Sequence, residues 1–90
     1  MEEIHCIIRG KVQGVFYRDF VSTQATQMDL TGFVQNMSDG SVEVVAQGDR
    51  KKLEVLLQEL KRGSKFAEVS KVKAVFRDVK SPYMNFEVRW

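Results

Sequence analysis

Ninety residues, 43% of them apolar, with both charge signs present, suit one small folded domain spanning 1–90 and exclude a disordered chain. The formal net charge of +2 favours anionic ligands weakly and does not by itself indicate nucleic acid. A single cysteine, Cys6, excludes an internal disulfide and a cysteine-based metal site, while the acidic start Met1-Glu2-Glu3 carries no signal-peptide or membrane-span pattern, so the expected location is cytoplasmic.

The first predicted strand covers Glu3 to Gly10, with Ile4, Cys6 and Ile8 alternating onto one buried face. Next comes Gly10-Lys11-Val12-Gln13-Gly14-Val15-Phe16-Tyr17-Arg18, followed by a helix that starts at Phe16 or Arg18 and runs to Asp29. Val21, Ala25 and Met28 give that helix one apolar face. A glycine-containing loop between a strand and a helix start can turn several backbone N–H groups inward as an anion nest. Arg18 adds a forked cation suited to a phosphate. The second strand runs from Thr31 to Met37, and Ser38-Asp39-Gly40 makes a hairpin turn into a third strand, Val42 to Gln47. Gly48-Asp49 stops that strand, and Asp49 is the expected N-cap of a second helix with the stripe Leu53, Leu56, Leu57 and Leu60. Lys61 and Arg62 suit its negative end and Gly63 its C-terminal cap. A fourth strand lies near Val69 to Phe76, a polar connection from Arg77 to Tyr83 holds the only proline, Pro82, and a last strand covers Asn85 to Trp90.

This order implies two split βαβ units, with helices on one face of a mainly antiparallel sheet. The first and second strands would run parallel with the third between them, so their C-terminal ends share one edge, roughly 10 Å apart. Arg18 leaves one end and Asn36 sits at the other, a gap that fits a phosphoryl group. Each feature also has a plainer reading. Gly10 and Gly14 alone would indicate only a turn, and Asn36 alone a strand-end residue. An arginine at a helix start is ordinarily solvated, but beside a nest the helix dipole repels it unless it has a ligand or partner. Lys11 reads as an exposed loop lysine, His5 as an unspecialised histidine, Asp19 as a first-turn acid and Asp39 as a turn residue. Arg50-Lys51-Lys52, Lys61, Arg62 and Lys65 read as solvated surface.

The segment Gly10 to Arg18 resembles the first signature of the acylphosphatase family. Thr31-Gly32-Phe33-Val34-Gln35-Asn36, followed by Asp39-Gly40 and Val42-Glu43, resembles the second. The likeness covers nearly the whole chain and rests on two motifs in the right order. It implies an α+β fold, a ferredoxin-like α/β sandwich with βαββαβ order and an extra C-terminal strand. It also implies hydrolysis of acyl phosphates to a carboxylate and inorganic phosphate, with no metal and no cofactor. Arg18 matches the phosphate-binding arginine, and the loop from Gln13 through Gly14, Val15, Phe16 and Tyr17 supplies the remaining phosphate contacts. Asn36 matches the asparagine that positions water. Phe16, Tyr17, Met37 and the proline-free Gly63-Ser64-Lys65 depart from common family patterns, away from the two proposed catalytic positions.

The chemistry is self-consistent. A carboxylate leaving group, with a conjugate acid of pKa about 4–5, departs without a general acid. A loose transition state then needs mainly positioning and charge stabilisation. Two other functions remain in view. An RNA-binding sheet would want aromatics on its central strands, and the first and third strands have none. A metal carrier would want a Cys/His cluster, which is missing. A domain of a larger carbamoyl-transfer enzyme is a further alternative, which the end of the chain at Trp90 disfavours. The expected partner is therefore a small acyl phosphate bound by a monomer, with no nucleic acid and no membrane.

Overall fold

Alternation along β1 (Glu2–Lys11) sets the layering: Ile4, Cys6 and Ile8 are fully buried, while His5 and Ile7 on the other face are half-exposed. In the computed structural model, which describes residues 1–90, the inward row meets two helices, α1 (Tyr17–Gln27) and α2 (Arg50–Arg62). The other strands are β2 (Thr31–Asn36), β3 (Val42–Gly48), β4 (Glu68–Asp78) and β5 (Phe86–Arg89), in the sheet order β4-β1-β3-β2-β5. Because β3 is antiparallel to both β1 and β2, those two run parallel and end on the same edge. That is the arrangement the element order predicts. β5 closes the far side, parallel to β2.

The elements deviate from expectation mainly at their ends. β4 extends to Glu68 and Asp78, since pairing with β1 continues from Glu2↔Asp78 to Lys11↔Glu68 and overrides the poor strand propensity of those charged residues. β5 stops one residue short at each end, and α1 begins at Tyr17. Asp49 occupies the N-cap position of α2, yet its side chain makes no capping bond; its carbonyl accepts from the Leu53 N–H at 3.0 Å. Gly10 serves sheet pairing: it sits at a register shift opposite β4 with φ 131°, where a Cβ would collide with the Glu68 carbonyl.

Leu53, Leu56 and Leu60 from α2 and Val21 and Ala25 from α1 are fully buried against the sheet. Tyr17 joins them at 1% exposure, its hydroxyl donating to the Leu60 carbonyl at 2.9 Å and tying the start of α1 to the end of α2. The opposite face of the sheet is mixed, with buried Phe33 and Val45 beside polar side chains. There Glu43 lies 2.7 Å from His5 Nε2 and accepts from Gln35 at 2.6 Å, so His5 is paired rather than solitary. Burial pushes the Glu43 carboxyl up, but the bonds from His5 and Gln35 outweigh it and the net shift is downward.

Candidate active site

The loop between β1 and α1 is anchored at both ends by buried side chains, Val12 and Tyr17, each 1% exposed. Between them Gly14 has φ 72° and Phe16 φ 62°, while Val15 does not share the left-handed conformation. Alternating backbone hands of this kind turn successive N–H groups toward one point, as in an anion nest. Phe16 adopts the left-handed conformation without glycine's freedom, at a cost on the order of 1–2 kcal/mol. Its ring is 73% exposed, so core packing does not explain that conformation.

Gln13, expected among the phosphate contacts, turns its side chain to the hairpin, which leaves only its backbone for that role. Its Nε2 donates to the carbonyls of Met37 and Ser41, both at 2.8 Å. The loop is thereby fastened to the β2–β3 hairpin, one residue beyond Asn36. The hairpin is braced in turn: the Ser41 hydroxyl and amide both donate to Asp39 Oδ1, at 2.5 and 3.0 Å. These two bonds, with help from Arg9, lower the Asp39 pKa to about 2, which supports the turn role expected for it.

Asn36 ends β2 opposite Val42 and two residues beyond fully buried Val34, so its side chain faces the helix-bearing side. Its Oδ1 is buried and has no hydrogen-bond partner in the protein. An unpaired buried acceptor costs about 1–3 kcal/mol, which makes this atom a candidate for contact with a ligand or solvent.

Arg18 stands in the first turn of α1. Its Nη1 donates to the Arg89 carbonyl at 2.8 Å, and its guanidinium lies 4.0 Å from the centre of the Trp90 ring. Arg89 is paired with Gln35, so these contacts hold Arg18 against the strand beside β2, near the position of Asn36. This C-terminal support joins segments 71 residues apart, and it provides the partners that hold an arginine at a helix N-terminus. Gly14, Phe16, Tyr17, Arg18 and Trp90, with Val12 and Asp19, line a cavity of about 220 Å³. Gln13, Val15 and Asn36 are not in its wall: Gln13 faces the hairpin, Val15 borders a neighbouring recess, and Asn36 stands at the end of β2. No three His, Cys, Asp or Glu side chains converge as metal ligands, and no helix is long and apolar enough to cross a membrane.

A family model described as Acylphosphatase matches residues 4–88. An acylphosphatase of Dehalococcoides mccartyi strain CBDB1 is 41% identical over 90 residues, covering 96% of this chain and 99% of the relative. Among solved structures, an acylphosphatase from Coxiella burnetii superposes with a TM-score of 0.91 at 43% identity, over 98% of this chain and 93% of that one. One from Bacillus subtilis superposes with a TM-score of 0.96 at 31% identity, over the whole of both chains. With the two signatures, the ferredoxin-like layering and these likenesses in agreement, the chain belongs to the acylphosphatase family, enzymes that hydrolyse acyl phosphates.

Proposed function

We propose that the amides of the Gln13–Tyr17 loop and the Arg18 guanidinium hold the phosphoryl oxygens of the acyl phosphate while the Asn36 carboxamide aims the attacking water. The observation that carries this reading is the buried, unpartnered Asn36 Oδ1 on the same side of the sheet as the loop and Arg18. Only part of the Arg18 guanidinium is engaged by the Arg89 carbonyl, leaving other N–H groups for phosphate. The water oxygen bonds to phosphorus as the bond from phosphorus to the carboxylate oxygen breaks. The electron pair leaves with the carboxylate, and the water's proton passes to a phosphate oxygen. No side-chain acid is required because the leaving group is already a weak base, and for the same reason no metal is required. One chain supplies every group named, which supports a monomer; a single buried thiol and no disulfide fit a cytoplasmic enzyme.

The test is phosphate release from acetyl phosphate in excess chelator. The wild type should turn over undiminished. Arg18→Ala should lose about 10³-fold or more in kcat/KM while keeping its circular dichroism spectrum. Activity abolished by chelation would remove the metal-free mechanism, and full activity in Arg18→Ala would remove the phosphate grip.

A further inference from the structure

Beside the Arg18 cavity lies a second recess of about 340 Å³, lined by Lys11, Gly14, Val15, Phe16 and Phe66. Gly14 and Phe16 border both, so the two share a rim. Phe16 and Phe66 are 73% and 60% exposed, leaving two aromatic rings open to solvent at the mouth of the site. Two cations stand beside them. Lys65 Nζ lies 5.5 Å from the centre of the Phe66 ring, and Lys11 lines the recess itself. Neither lysine takes part in an ion pair.

The strand order gives this recess a direction. The loop emerges from β1, Asn36 ends β2 on one flank, and Phe66 precedes β4 on the other flank. Displacement at phosphorus is roughly in line, so the attacking and departing oxygens occupy opposite sides. Water held on the β2 flank sends the leaving group toward the β4 flank, where Phe16 and Phe66 stand.

We propose that Phe16 and Phe66 form the acyl subsite of this enzyme. It takes acyl phosphates whose acyl group is aromatic or bulky and apolar, and Lys11 favours an acyl group that carries a carboxylate at its far end. The proposal rests on the assignment of Asn36 and the loop given above. Phe66 is the specificity-determining residue that can be changed without touching the phosphate grip.

The experiment compares acetyl, benzoyl and 4-carboxybenzoyl phosphate as substrates for the wild type, Phe66→Ala and Lys11→Gln, with inhibition by inorganic phosphate measured alongside. Phe66→Ala should lower kcat/KM for benzoyl phosphate about tenfold, the low end of what an apolar contact discriminates, and leave acetyl phosphate and phosphate inhibition within about twofold. Lys11→Gln should cost the 4-carboxybenzoyl substrate more than the benzoyl one. An unchanged benzoyl-to-acetyl ratio in Phe66→Ala, whether both rates hold or both fall, overturns the subsite while the hydrolase assignment stands. Equal losses on both aromatic substrates in Lys11→Gln overturn the carboxylate preference. A wild type that hydrolyses none of the three would sink the phosphate-site reading as well.

Discussion

Gln13 Nε2 satisfies the carbonyls of Met37 and Ser41 together, and through them sets the distance between the loop and the end of β2. Gln13→Ala removes both bonds. At about 0.5–1.5 kcal/mol each, stability should fall by about 1–3 kcal/mol, measured by urea unfolding. Inhibition by inorganic phosphate should weaken at the same time, because the loop loses its tie to the hairpin. A variant with normal stability and normal inhibition would show that the two bonds contribute nothing. Arg18 is held differently, by a carbonyl and an aromatic face at the end of β5. Those contacts restrict the guanidinium before substrate arrives, so less conformational freedom is lost on binding.

At the level of elements, Tyr17 couples the two helices. Tyr17→Phe keeps the buried ring and removes only the hydroxyl that donates to Leu60, so a loss of about 1 kcal/mol with unchanged kcat is expected from thermal unfolding and steady-state assays. A fall in kcat without a fall in stability would instead put the hydroxyl into the chemistry. The sequence could not indicate this inward role, because a tyrosine at a helix start suits either the site or the core until the position of α2 is known. What it did disclose was local. Period-two burial in Ile4, Cys6 and Ile8, the stripe of Leu53, Leu56, Leu57 and Leu60, of which Leu57 is only half-buried, and the Asp39-Gly40 turn marked the elements, and their order implied the shared edge of β1 and β2. What it withheld was long-range. The reach of Gln13 to the hairpin, the support of Arg18 by Arg89 and Trp90, and the burial of Asn36 Oδ1 all depend on segments far apart in the chain. The full length of β4 was hidden for the same reason, since its ends are held by pairing with β1.

The whole molecule should lose stability at both ends of the pH scale. On the acid side, Asp39 is held near pKa 2 by Ser41, against an ordinary value of 3.8, and Glu43 is also lowered. A depressed folded-state pKa contributes stability that is complete above the unfolded value and fades as the pH falls from about 4 toward 2. On the basic side, burial raises the Cys6 thiol from 9.0 to about 12, only partly offset by Lys61, and pushes the Tyr17 phenol up as well. A raised folded-state pKa contributes stability that is complete below the unfolded value, so it fades as the pH climbs past about 9. Urea midpoints should therefore form a plateau that drops on both sides. Cys6 should resist a thiol reagent at pH 8 until the chain unfolds, and rapid labelling of the native protein would contradict its burial. The division of labour at the site is tested most directly by Asn36→Ala, with kcat on acetyl phosphate and inhibition by inorganic phosphate measured on the same preparation. A fall in kcat of about 10²–10³-fold, with phosphate inhibition unchanged, is the predicted result. An undiminished kcat, or a loss of phosphate inhibition matching the loss of rate, would contradict the account.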